Sequence, residues 1–246
     1  MTKAKRHGIY NVVRRAGKKS LRALNTLFAR ESLVPVDPIL PRESFAFEEE
    51  LEANWRIIRD EIGPLLERSA ELPTLQDIES GQGIATPEWR TFWLLGFGRR
   101  SEANCAQCPE TDRLLRKVPG LNTAFFSILE PGGRVPQHKG VTRGLLRAHL
   151  ALKVPEKAEQ CRMSLADTSF SWEEGKIIVF DDSLKHSVVN LTDETRIVLL
   201  IDFERPMRWR GMLAHRFSML ALRLSPVFRR SAKNQDEWEH AFYRTD

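Results

Sequence analysis

The chain has 246 residues, of which 41% are hydrophobic and 29% charged, a composition that folds in water and excludes a disordered or fibrous chain. There is no run of about 18 uncharged apolar residues to cross a membrane as a helix, and the three cysteines, Cys105, Cys108 and Cys161, are too few for a disulfide framework and point to a reducing cytoplasm. The net charge of +5 conceals a segregation: residues 1–30 hold nine Lys/Arg and no acid, residues 207–230 hold six Arg and no acid, and the body between is acidic.

The N-terminal "MTKAKRHGIYNVVRRAGKK" is interrupted by charge and lacks the apolar centre of a secretory signal. Ile9, Val12, Val13, Ala16, Leu24, Leu27 and Phe28 fall near one helical stripe, with Arg14, Arg15, Lys18, Lys19 and Arg22 mostly off it, so 1–33 is expected to be a basic amphipathic helix. Pro35, Pro38 and Pro41 predict an extended linker over 34–44. A helix follows on Phe47, Leu51, Trp55, Ile58, Ile62 and Leu66, with Ser44 as its cap and Gly63-Pro64 as its kink or end. Residues 67–90 read as loop.

Beyond residue 90 the texture changes to short β-branched and aromatic runs at 91–97, 123–129, 145–152, 176–180, 187–190 and 196–203. Turns such as Pro131-Gly132-Gly133 and Glu174-Gly175 separate them, and no helical patterns alternate with them. The expected fold is therefore mainly β with flanking helices: a double-sheet jelly roll, or double-stranded β-helix of cupin-like form, over 45–206. In the remaining 207–246, Met212, Leu213, Phe217, Leu220, Leu224 and Phe228 make a second basic amphipathic stripe. Each basic end suits an anionic membrane surface or docking on its own domain with a solvated basic face, and the sequence leaves both open. Nucleic acid is disfavoured, because the stripes lack interleaved aromatics and the body is acidic.

His7, His215 and His240 fall in the helical ends and read as surface residues, whereas His138, His149 and His186 fall among the strands. In "HKGVTRGLLRAHLAL" (138–152) strand alternation puts Arg147 and His149 on one face and Leu146, Leu150 and Leu152 on the other. The "NLTDET" turn predicts a hairpin over 187–203 that brings His186 and Arg196 to one cavity. Taken singly, each of these residues has a structural reading. Together, two imidazoles and two guanidiniums suggest a metal site with an acidic co-substrate, since imidazole binds Fe(II) and a guanidinium fork matches a carboxylate.

The motifs "FFSILEPGGRVPQHKG", "LLRAHLALKVP" and "SWEEGKIIVFDDSLKHSVVNLTDETRIVLLIDFERP" resemble the aspartyl/asparaginyl β-hydroxylase family over roughly 90–206, more faintly from about 45. The resemblance implies an Fe(II)/2-oxoglutarate-dependent dioxygenase that uses O₂ to hydroxylate an unactivated C–H bond and decarboxylates 2-oxoglutarate to succinate. It implies His138 and His186 as iron ligands, and Ser127, Arg147, His149 and Arg196 as 2-oxoglutarate contacts, with Arg196 on the far carboxylate. The usual third ligand, a carboxylate two residues after the first histidine, is replaced by Gly140, as in the β-hydroxylase branch. Asp181 and Asp182 support the site from behind or shape a turn. Cys105-x-x-Cys108 lacks the second ligand pair of a structural zinc site and reads as structural.

The family name implies peptidyl Asp/Asn as substrate. A similar bacterial branch hydroxylates acyl chains of membrane lipids beside the carbonyl, and the basic ends favour that access from the inner face of a membrane. Lipid-hydroxylating members carry aspartate at the position of Gly140, which sets the peptidyl reading slightly ahead. A third reading, of another class, is a non-catalytic jelly-roll binding module or membrane scaffold.

Overall fold

The computed structural model describes residues 20–79 and 86–244. Its helices are α1 (20–31), α2 (Phe47–Ala53), α3 (Trp55–Glu67), α4 (Leu75–Ile78), α5 (Glu102–Gln107), α6 (Pro109–Leu115), α7 (Trp209–Arg223) and α8 (Pro226–Phe242). The strands are β1 (Trp89–Gly96), β2 (Arg99–Arg100), β3 (Leu121–Leu129), β4 (Arg134–His138), β5 (Leu145–Lys153), β6 (Cys161–Leu165), β7 (Thr168–Ser171), β8 (Ile177–Phe180), β9 (His186–Asn190) and β10 (Arg196–Glu204). They form a six-stranded sheet ordered β2-β1-β3-β10-β5-β8 and a four-stranded sheet ordered β4-β9-β6-β7, antiparallel at every pairing. This is the expected double-sheet jelly roll with helical flanks.

Alternation along β10 and β5 builds two cores. Ile197, Leu199, Ile201 and Phe203 pack with Leu146, Ala148, Leu150 and Leu152 under Ile58 and Ile62 of α3. Val198, Leu200 and Ala151 face the opposite way, against Met163, Leu165 and Val188 of the smaller sheet. Arg147 and His149 share the parity of Ala151, so the one-face placement read from the alternation holds and that face lies between the sheets.

Several local expectations are corrected. The hairpin over 187–203 does not form: β9 pairs with β4 and β6, while β10 pairs with β3 and β5 in the other sheet. The "NLTDET" segment is instead a crossover pinned by Asn190, whose amide donates to the carbonyls of Leu129 (3.1 Å), Glu130 (3.2 Å) and Glu194 (2.7 Å). Ser44 does not cap α2; its hydroxyl donates to the Pro41 carbonyl, and Glu48 accepts from the amides of Glu43 and Phe45. The break falls at Asn54, and α3 runs on through Pro64. The stretch 67–90 contains α4, closed by a reciprocal Thr74–Asp77 capping box. Strands β4, β6 and β7 escape the sequence reading because they are four or five residues long and carry polar residues: β6 alternates buried and exposed positions, and β4 and β7 are mostly exposed or half-buried.

The proline-rich segment is extended, yet packed. Leu40 N–H donates to the Val179 carbonyl and Asp181 N–H to that of Pro38, so the segment covers the β8 edge of the larger sheet. At the C-terminal end α8 is docked: Trp238 meets Phe92 edge-on at 6.2 Å and donates to the Glu71 carbonyl, while Arg99 grips Asp236 through two bonds. Helices α1 and α7 pack together. Leu33 N–H donates to Pro206, Arg208 N–H donates to Glu31, and a Cβ on Gly211 would lie 2.6 Å from that of Glu31, so only glycine permits the crossing. Residues 1–19 of the predicted N-terminal helix, His7 among them, lie outside the described residues.

Two measurements follow. Asn190 is fully buried and also accepts from Thr192, so Asn190→Ala strands several backbone carbonyls and is expected to cost about 2–4 kcal/mol in urea denaturation. His215 is buried against Phe28, not on the surface as its position in a basic helix suggested. Burial, with Arg216 and Arg223 nearby, pushes its pKa down to about 4, Glu204 standing 3.9 Å away. Unfolded imidazole titrates near ~6.5, so between these values the unfolded chain binds the extra proton. Stability is thus full above about pH 6.5 and falls as the pH drops toward 4. His215→Phe should flatten that part of a urea-midpoint profile.

Candidate active site

The two sheets meet at one end around a pair of imidazoles. His138 closes β4 and His186 opens β9, and antiparallel register sets them directly opposite, with ring centroids 4.1 Å apart. Each Nδ1 lies against the carbonyl two residues earlier, Pro136 at 2.8 Å and Leu184 at 2.9 Å. A protonated Nδ1 donating there leaves Nε2 of each ring as the lone-pair atom. Burial lowers both pKa values, His186 to about 3 with His138 adding to the effect, so both rings are neutral near pH 7. Two neutral imidazoles with ordered tautomers are a donor set suited to a divalent transition metal. Among the described residues no group of three or more His, Cys, Asp or Glu is arranged to hold a metal ion, so the pair stands as two donors.

Deeper between the sheets lies a second polar set. Arg196, 2% exposed at the start of β10, has no carboxylate partner among the described residues. Its Nη1 reaches Ser127 Oγ at 3.4 Å, its guanidinium stands 4.9 Å from the Trp172 ring, and its Nε is unsatisfied. Burial pushes its pKa down to about 10. Both nitrogens of His149 and the indole nitrogen of Trp172 are likewise buried without a partner. Burial, then the charges of Arg196 and Arg147, holds His149 well below its ordinary value. The Arg196 guanidinium, the Trp172 indole N–H and the single N–H of a neutral His149 are donors clustered in one buried place, a set that would suit a carboxylate. Ser127 completes it, its hydroxyl also accepting from Trp89 at 2.9 Å.

Arg147 has different company. Its Nε and Nη2 close on the two oxygens of Asp202 at 2.7 and 2.9 Å, and Nη2 lies 3.3 Å from Asp182. Burial works against its charge, but Asp202 and Asp182 outweigh it and raise the pKa. Arg147 therefore lines the open pocket with its fork already engaged, beside His138, Gly140 and Asp182. The apolar wall of that pocket comes from Trp89, Trp93, Phe125, Met219, Leu222 and Phe228.

The paired aspartates separate. Asp181 shapes the turn: its carboxylate accepts from Ser183, Arg205 (2.8 Å) and Arg143 (3.1 Å). Asp182 faces the pocket, and a Cβ on Gly140 would stand 2.2 Å from its Oδ2. The carboxylate of residue 182 thus fills the space that a side chain at 140 would need. Burial raises the Asp182 pKa. Asp202 and Trp172 were not singled out from sequence; Asp202 shares the strand parity of Arg196 on β10, which is the signal that finds it. Cys105 and Cys108 are buried in the helix-side core, with pKa values raised by burial, in keeping with a structural role.

Because Gly140 leaves no room for a side chain, Gly140→Ala should lower the thermal midpoint by several degrees, about 1–3 kcal/mol of overpacking. An unchanged midpoint would mean that Asp182 swings aside freely.

The site can be set beside known proteins. Residues 52–206 match the family described as aspartyl/asparaginyl beta-hydroxylase. The ornithine lipid ester-linked acyl 2-hydroxylase of Rhizobium tropici is 39% identical over 208 residues, 84% of this chain and 74% of that protein. The human aspartyl/asparaginyl beta-hydroxylase is 34% identical over 161 residues, 63% of this chain but only 21% of that much longer protein. Among solved structures, a Pseudomonas putida prolyl-4-hydroxylase matches with a TM-score of 0.40 and 22% identity, covering 62% of this chain and 88% of that one. At that score the fold assignment rests on the strand order itself. A jelly roll with a paired-histidine mouth, matched along most of its length by these relatives, belongs to the aspartyl/asparaginyl beta-hydroxylase family.

Proposed function

We propose that the chain is an Fe(II)/2-oxoglutarate-dependent hydroxylase of membrane-lipid acyl chains, acting on the carbon beside an acyl carbonyl. The observation that carries the lipid reading is the extent of the likeness to the Rhizobium tropici enzyme: 208 aligned residues exceed the stretch 52–206, so the similarity includes part of the flanking segments. Peptidyl Asp/Asn hydroxylation is the second reading, favoured by the 34% identity to the human enzyme within the shared domain.

His138 and His186 would hold the iron through Nε2, their Nδ1 atoms being oriented by backbone carbonyls. Arg196 and Ser127 would clasp the far carboxylate of 2-oxoglutarate, and His149 would donate to the same molecule from the β5 side. When bound, iron and 2-oxoglutarate supply the oxidising chemistry: one atom of O₂ enters the substrate C–H bond and the other enters succinate, with loss of CO₂. Arg147, held by Asp202, would act as a fixed positive wall beside the iron, and Asp182 would order solvent there. The tryptophan and phenylalanine wall would exclude water from the reacting carbon and receive an apolar chain. Three buried free cysteines support a reducing, cytoplasmic setting.

Anaerobic addition of Fe(II) and 2-oxoglutarate should produce a weak visible charge-transfer band. Turnover on extracted lipids should yield succinate and a product heavier by one oxygen atom, about 16 mass units. His138→Ala or His186→Ala should abolish both signals, while Arg196→Ala should chiefly raise the 2-oxoglutarate concentration required, by about tenfold or more. No band and no succinate would overturn the reading. Product from an Asp/Asn peptide pool with none from lipids would install the second reading.

A further inference from the structure

Helix α7 has two apolar faces and only one of them is used. Gly211, His215 and Met219 are buried, and Met219 and Leu222 form part of the pocket wall. On the other side Trp209, Leu213, Phe217 and Leu220 of α7, the capping Leu224 just beyond it and Val227 of α8 follow one another at three- and four-residue steps and are all exposed, Phe217 by 74%. No packing partner among the described residues covers that stripe, and so long a contiguous apolar ridge marks an interaction surface.

Charge selects the partner. Arg208, Arg210, Arg216, Arg223, Arg229 and Arg230 are all exposed, and no acid occurs over 207–230. Arg210 lies over the Trp209 ring at 5.3 Å, and Arg216 is only loosely paired with Glu204, at 3.9 Å. Helix α1 packs on α7, and the sequence leading into α1 carries seven further Lys/Arg without an acid. Apolar side chains edged by arginine, tryptophan among them, match the boundary between acyl chains and anionic headgroups.

We propose that the outward stripe of α7 and the first turn of α8 are a docking face for an anionic lipid bilayer. The same helix then holds the bilayer with one side and the pocket wall with the other, so the mouth near Leu222 and Phe228 opens where acyl chains lie. The docking stands on the α7–α8 stripe and its arginines; the delivery of an acyl chain rests on the lipid reading above.

The test is co-sedimentation of the full chain with vesicles of phosphatidylcholine, alone or mixed with phosphatidylglycerol. Wild type should pellet with the anionic vesicles, and less so as salt rises. Leu213→Ser, Phe217→Ser and Leu220→Ser together should lower the bound fraction at least about tenfold, and Arg210→Gln with Arg216→Gln should lower it chiefly on the anionic vesicles. Both variants should keep the circular dichroism spectrum and the turnover of detergent-dispersed substrate, because none of these residues lines the pocket. Undiminished vesicle binding by the triple variant would overturn the proposal. So would a wild type that ignores vesicles but sediments as a dimer that the triple variant dissolves, since the face would then hold a second copy. Vesicle binding that the triple variant loses, without lipid turnover by any form, would leave docking standing and remove the acyl substrate.

Discussion

The alternation of side chains across a strand is the constraint on which both core and site depend. Strands β10 and β5 are adjacent interior strands of the larger sheet, buried on both faces along most of their length. One parity supplies aliphatic residues to the helices; the other must supply whatever the space between the sheets requires. Arg196, Asp202, Arg147 and His149 are all of that second parity. A one-residue slip in register would drive them into the helix-side core and expose Leu199 and Leu150 to the site, so hydrophobic burial itself fixes where the chemistry stands.

Two arginines on that face differ in what they lack. Arg147 meets Asp202 through both nitrogens of its fork and leans on Asp182, so its burial is compensated within the fold. Arg196 is buried more deeply, 2% exposed, beside the Ser127 hydroxyl and the Trp172 ring. Leaving a guanidinium in that state costs several kcal/mol of desolvation, which the contacts to Ser127 and Trp172 offset only in part. The difference is one of partners: two carboxylates for Arg147, and a hydroxyl and an indole ring for Arg196.

At the mouth, close packing accounts for the odd residue in the motif. Gly140 is small because Asp182 occupies the volume beside it, held there by Arg147 and the Asp182 carbonyl that accepts from Gly140 N–H at 2.8 Å. The absence of a carboxylate at 140 is thus coupled to the presence of one at 182. The pocket then continues along an apolar wall to α7, whose outer stripe is exposed among the described residues.

The sequence by itself determined the jelly-roll class and the shared face of Arg147 and His149, because alternation is local; His138 and His186 came from the family resemblance, and it took the β4–β9 register to set them opposite each other. The sequence also carried the family motifs, which hold 52–206 together as one unit. Only the tertiary structure decided that β9 and β10 part into different sheets, since a turn such as "NLTDET" reads alike as hairpin or crossover until Asn190 finds carbonyls sixty residues away. It also decided that Arg147 meets Asp202 and Asp182 while Arg196 meets no carboxylate among the described residues, that α8 docks on the β-sandwich, and that His215 is buried. Each of these depends on a partner distant in sequence, and periodicity records only which residues share a face, never what comes to meet them.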